Sequence, residues 1–113
     1  MIIERKEYQD TDGTVGYVET VINSDNILKT TYFPKNQRLY IAFSRGHTYS
    51  YSNIDLEQYL KFEEADSQGK FFHKNINNNN KHPHRKEFTL YPNEVIDLKE
   101  IVENNKPEDK NDE

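Results

Sequence analysis

Ile27-Leu28-Lys29-Thr30-Thr31-Tyr32-Phe33 runs into Pro34, Lys35-Asn36-Gln37 turns the chain, and Arg38-Leu39-Tyr40-Ile41-Ala42-Phe43 comes next. Leu39, Ile41 and Phe43 recur at period two, so they line one face of a strand. Arg45-Gly46 turns the chain again, and His47-Thr48-Tyr49-Ser50-Tyr51 alternates ring and hydroxyl. Parallel pairing needs a crossover of about a dozen residues, and these runs are separated by short turns, so they pair as an antiparallel meander.

The reading extends outward from this centre. Residues 1–22 place Ile3, Tyr8, Val15, Tyr17, Val18 and Val21 around the turn dipeptide Asp12-Gly13, which predicts a β-hairpin. After residue 54 the period changes. Asp55 stands at an N-cap position with Gln58 as its capping-box partner, and Leu56, Tyr59, Leu60 and Phe62 fall at helical spacing. Glu57 and Lys61 form an i,i+4 pair, and Gly69 is where the chain is expected to leave the helix. Asn77-Asn78-Asn79-Asn80 and Lys81 read as a flexible loop. Phe88-Thr89-Leu90-Tyr91 reads as a further strand, and Pro92-Asn93 opens a second helix through Val102. Residues 103–113 hold five acids and two lysines and read as a disordered acidic tail. The expected fold is therefore α+β: an antiparallel meander of about four or five strands, one helix packed on one face, and a second C-terminal helix. Its expected divisions are a hairpin extension at 1–22, a central unit at 23–87, a strand and helix extension at 88–102, and the tail.

Composition narrows the classes. In 113 residues, apolar side chains make up 33% and charged ones 31%, but eight Tyr and six Phe supply large rings to a small core. Mean hydropathy is −1.10. No apolar run is long enough to span a membrane, and neither a secretory signal nor a cysteine is present, so a cytoplasmic protein without disulfides or thiol chemistry is expected.

The central stretch resembles the KTSC domain, a small domain found at the C-terminus of some lysyl-tRNA synthetases and as stand-alone bacterial and phage proteins. The resemblance covers about residues 24–86. It rests on Ser24-Asp25-Asn26-Ile27, Tyr32-Phe33-Pro34, Leu39-Tyr40-Ile41-Ala42-Phe43 with Arg45-Gly46-His47, and Tyr49-Ser50-Tyr51. Its most specific part is Ser67-Gln68-Gly69-Lys70-Phe71-Phe72-His73-Lys74-Asn75-Ile76, similar to a Ser-x-Gly-Lys-x-Phe-x-x-x-Ile signature, with His82-Pro83-His84-Arg85 resembling the closing Tyr-Pro-x-Arg. The resemblance implies RNA binding.

The residues themselves point the same way in one region. Between 70 and 86 there are five cations and no carboxylate, beside several rings. Single-stranded RNA is held by cations on phosphates and flat side chains under bases. The candidate site is Lys70, Lys74, Arg85 and Lys86 for phosphates, with Tyr49, Tyr51 and Phe72 for stacking. Tyr49 and Tyr51, two apart, share a sheet face; the same rings are also the largest apolar groups available to the core. Net charge of −5 argues against tight binding, since independent nucleic-acid binders are strongly basic.

Other chemistry is poorly provided for. His82-x-His84 has a spacing that can chelate from a strand, with His73 and Asp66 nearby, but there is no cysteine to complete a structural site and Pro83 beside the asparagine run preorganises it poorly, so no metal or other cofactor is expected. Ser44, His47 and Asp55 sit in no nucleophile motif, Glu63 and Glu64 diverge around a helix, and no glycine-rich phosphate loop exists, so the chain reads as no enzyme. The alternative to RNA is a host protein: a phage- or mobile-element-encoded chain that binds and inhibits a defence or nucleic-acid-processing protein, with Arg38, Arg45 and Arg85 among its anchors.

Overall fold

The structure, a computed structural model, describes residues 1–105. Six strands and three helices succeed one another as β1 (Ile2–Gln9), β2 (Val15–Ile22), β3 (Ile27–Phe33), β4 (Arg38–Phe43), β5 (His47–Tyr51), α1 (Leu56–Glu64), α2 (Gln68–Asn75), β6 (His84–Thr89) and α3 (Pro92–Asn104). The strands form one antiparallel sheet whose spatial order, β1 to β6, is also the chain order. The α+β class and the meander are as the sequence predicts, with six strands rather than four or five. The N-terminal hairpin continues the sheet through β2–β3 pairing, and the last strand begins at His84, four residues ahead of the strand expected at Phe88.

The first hairpin closes where Asp12-Gly13 predicts. Gly13 has φ +85, the left-handed region glycine favours, and the Asp12 carboxylate accepts from the Thr14 amide at 3.0 Å and the Thr14 hydroxyl at 2.7 Å. Register then decides what is buried. Val18 faces Tyr32, Tyr32 faces Leu39 and Leu39 faces Tyr51; beside them run Thr20, Thr30, Ile41 and Tyr49. This is the face covered by α1 and α2, and its core includes Ile22, Ile27, Ile54, Tyr59, Phe62, Phe72 and Ile76.

α1 starts at its predicted cap: the Asp55 carboxylate accepts from the Gln58 amide at 2.8 Å. Its buried side differs from the expected stripe. Tyr59 and Phe62 are buried, whereas Leu56 and Leu60 are 52% and 39% exposed. Arg5 fixes the helix to β1, its Nε lying 2.9 and 3.0 Å from the two Glu63 carboxylate oxygens.

The sequence suggests that helical structure ends by Gly69, but a second helix starts there. Ser67 caps α2 by accepting from the Lys70 amide, and Gln68 turns back so that its amide donates to the carbonyls of Phe62, Glu63 and Ala65 that end α1. Gly69 does not release a helix. It lies in the first turn of α2, where an added Cβ would come within 2.9 Å of the Asn26 Oδ1 atom. The asparagine run is also no free loop: Asn79 donates to the Asn75 carbonyl and accepts from the Lys81 amide, and its own carbonyl takes the His82 amide.

α3 crosses the other face of the sheet. It begins at Pro92 as predicted and runs to Asn104, so residues 103 and 104 of the expected tail are helical; from residue 106 that tail lies outside the described residues. None of its side chains is fully buried. Its seat is Gly46, which has φ +93, accepts from the Leu90 amide at 2.9 Å, and would carry a Cβ only 3.0 Å from Val95.

Candidate functional site

The residues chosen from sequence do not form one surface. Tyr49 and Tyr51 do share a face, but it is the face beneath the helices. Tyr51 is 4% exposed and Phe72 is 2% exposed, their rings meeting edge-on with centroids 5.2 Å apart. Burial pushes the Tyr51 hydroxyl up to about 12. Neither ring can stack on a base, because each one already closes the core. Tyr49 stays half-buried at the rim, opposite Lys86 in the ladder and 5.7 Å from the His84 ring.

The cations are divided as well. Lys70 and Lys74 are exposed on α2 but border different grooves, one with Asn26 and His73, the other with Asp55 and Lys81. Arg85 and Lys86 are consecutive on a strand and so point to opposite faces. Lys86 joins Tyr49 on the helix side; Arg85 stands opposite Ser50 on the other side, 2.9 Å from the Glu87 carboxylate.

The remaining candidates serve separate contacts. His82 is buried with Nδ1 2.9 Å from the Ser52 carbonyl, His73 reaches Asn26, and His84 lies over Tyr51. His47 pairs with Thr89, Asp55 caps α1, and Glu63 is held by Arg5.

The signature-like run from Ser67 to Ile76 is explained largely by packing. Ser67 caps, Gly69 makes room for Ser24 and Asn26, and Phe72 and Ile76 are core positions one turn apart. Lys70 has no such duty: its ammonium makes no ion pair among the described residues.

A contiguous surface exists on the opposite side of the sheet. If Leu39 and Ile41 point to the helices, Tyr40 and Ala42 must point away, and the register carries this parity across every strand. Tyr8 stacks on Tyr17 with centroids 4.5 Å apart, Tyr17 meets Phe33 at 5.5 Å, and Phe33 meets Tyr40 edge-on at 5.6 Å. The row crosses β1, β2, β3 and β4 without a break. Tyr8 is exposed and the other rings are half-buried, so each offers surface to solvent.

The row leads to a recess of about 210 Å³ lined by Lys29, Thr31, Phe33, Tyr40, Ala42, Thr48, Phe88 and Leu90. On β3 to β6 this face carries Lys29, Arg38 and Arg85 against one carboxylate, Glu87. Lys29 also pairs with Glu19 of β2 at 3.1 Å. Glu87 is engaged twice: it accepts from the Ser50 hydroxyl at 2.6 Å and pairs with Arg85. The Ser50 hydroxyl first, then Arg85, holds its carboxyl below the ordinary carboxylate range. Arg38 donates to Ser50 at 2.9 Å.

A reading that follows Tyr49 and Tyr51 beside the lysines passes over this row. The signal that finds it is the same period-two alternation that places Leu39 and Ile41, applied to the residues between them.

The KTSC domain family model matches residues 23–79, the stretch from just before β3 to just after α2. A KTSC domain protein from Yersinia pestis, known from its crystal structure, is 31% identical over 62% of this chain and 96% of its own, with a TM-score of 0.57. No curated protein matches. Phe33 and Tyr40 come from within the matched segment, while Tyr8, Tyr17, Phe88 and Leu90 come from β1, β2 and the residues of β6 and after it. With the family model covering half of its length and a crystal structure of the family sharing its sequence and fold, this chain belongs to the KTSC domain family.

Proposed function

We propose that the chain is a non-catalytic binding module that holds single-stranded RNA across the sheet face opposite α1 and α2. The observation that carries this reading is the unbroken row Tyr8–Tyr17–Phe33–Tyr40. Bases of a single strand are free to stack on such rings, each worth about 1–3 kcal/mol, and stacking tolerates any base. Lys29, Arg38 and Arg85 stand beside the row for phosphates. With net charge −5 and few phosphate contacts, most of the affinity comes from the rings, so binding is modest and only mildly dependent on salt.

The test is fluorescence anisotropy with labelled decameric oligoribonucleotides at two salt concentrations. Tyr17→Ala and Phe33→Ala should each weaken binding about tenfold, while Lys74→Ala should leave it nearly unchanged. Absence of binding at low salt, or binding indifferent to the two ring variants, overturns the reading.

One feature favours a protein partner instead. Leu56 and Leu60, exposed on α1, share an apolar groove with Val15, Val18, Pro34 and Tyr59. On this second reading Leu60→Asp abolishes a stoichiometric, nuclease-resistant complex from host lysate; recovery of the same complex with the variant excludes this groove.

A further inference from the structure

We infer that the recess between Tyr40 and Phe88 is a seat for one nucleobase, which gives the strand on the aromatic row a fixed end. This rests on the single-strand reading above. The recess arises from side-chain size. Thr31, Ala42 and Thr48 are small and form its floor, with Ala42 opposite Thr48 and Thr48 opposite Phe88 in the ladder. Phe33, Tyr40, Phe88 and Leu90 rise around that floor. The volume of about 210 Å³ suits a flat heterocycle and is small for a drug-sized ligand.

Three further observations select a base over an aliphatic side chain. The recess continues a line of rings that already presents flat surfaces one after another. Its walls are apolar and partly aromatic, with Lys29, Thr31 and Tyr40 the lining residues that carry polar side-chain groups and the Lys29 ammonium shared with Glu19. Finally, Arg38 makes no ion pair among the described residues and stands on this face beside Phe33 and Tyr40, where an anionic backbone leaving the seat would pass. Phe88 is 51% exposed, so a base against it covers apolar surface that now faces water.

The test uses adenosine 5′-monophosphate and a labelled oligoadenylate decamer, with binding followed by amide chemical shifts and anisotropy. The mononucleotide should shift the amides around Thr31, Ala42 and Phe88. Ala42→Leu, which fills the floor, and Phe88→Ala, which removes an exposed wall without touching the core, should each weaken it at least about fivefold. Tyr17→Ala should weaken the decamer but leave the mononucleotide unaffected. Mononucleotide binding that is unchanged by both recess variants, or that maps elsewhere, overturns the seat while decamer binding sensitive to Tyr17→Ala keeps the row. Failure of both ligands overturns the seat together with the single-strand reading. Mononucleotide binding lost in both recess variants, without decamer binding, supports the seat and overturns the row. Shifts at the recess from a leucine-rich peptide but not from the mononucleotide overturn the seat in favour of a protein ligand.

Discussion

Tyr32 and Tyr59 lie face to face in the core, their centroids 4.1 Å apart and their planes within 6°, joining the middle of the sheet to α1. Their hydroxyls have unlike surroundings. Tyr32 donates to the Ile54 carbonyl at 2.7 Å, whereas the buried Tyr59 hydroxyl, near the Glu63 carboxylate and the Thr30 hydroxyl, makes no hydrogen bond of good geometry with either. Removing a satisfied donor strands the Ile54 carbonyl; removing an unsatisfied one strands nothing. Tyr32→Phe should therefore cost about 1 kcal/mol and Tyr59→Phe should be neutral or stabilising, both read from urea denaturation midpoints.

Three core tyrosines should ionise late. Burial pushes Tyr32 and Tyr51 up to about 12, and it pushes Tyr59 higher still. A phenol whose folded pKa lies above its unfolded value of 10.0 contributes stability that is complete below that value. That stability is lost as pH rises through the folded pKa. Absorbance at the phenolate band should show a late ionisation from these three rings, coincident with loss of tertiary circular dichroism. If Tyr51→Phe leaves the late ionisation of the folded protein undiminished, the placement of Tyr51 in the core is wrong.

The first hairpin should be sensitive to acid. Hydrogen bonds from Thr14, and then Lys35, hold the Asp12 carboxyl down at about 2 against an ordinary 3.8. Because the folded value is depressed, the stability it contributes is present above about 3.8 and disappears as pH falls through about 2. Asp12→Asn should flatten that limb of the pH–stability curve. Fraying of β1 and β2, tracked by amide exchange, should no longer change across this range.

Gly46 should be intolerant of any side chain. Its φ of +93 and the 3.0 Å approach of Val95 to an added Cβ combine backbone strain with a clash against α3. Gly46→Ala should cost about 1–3 kcal/mol and raise exchange selectively in α3, since no side chain of that helix is deeply anchored. Uniform loss of protection across the sheet would show instead that α3 is not a separable layer.

Most of the architecture is legible in the sequence because it depends on short-range chemistry. Asp12-Gly13, Pro34 and Gly46 set the turns, and Leu39, Ile41 and Phe43 mark one strand face. α2 is hidden because its buried set is small, Phe72 with Gln68 and Gly69, followed by Ile76 at its C-cap, and because Gly69 ordinarily signals a break. Here tertiary contact with Asn26 makes glycine the only residue that fits without displacement. The aromatic row is hard to place for a related reason. A run of lysines in sequence says nothing of parity, and once β6 begins at His84 the adjacent Arg85 and Lys86 are sent to opposite sides. Tyr17, Phe33 and Tyr40 are distant in sequence and become neighbours only when the register is known.

The coincidence of spatial and chain order in the sheet bears on how such a molecule is made and enlarged. During synthesis each strand after β1 emerges when the strand it pairs with already exists, so none waits for a segment still to be made. The same layout lets evolution add a ribbon at either margin without breaking any existing ladder. β1 and β2, which precede the matched residues 23–79, occupy one such margin.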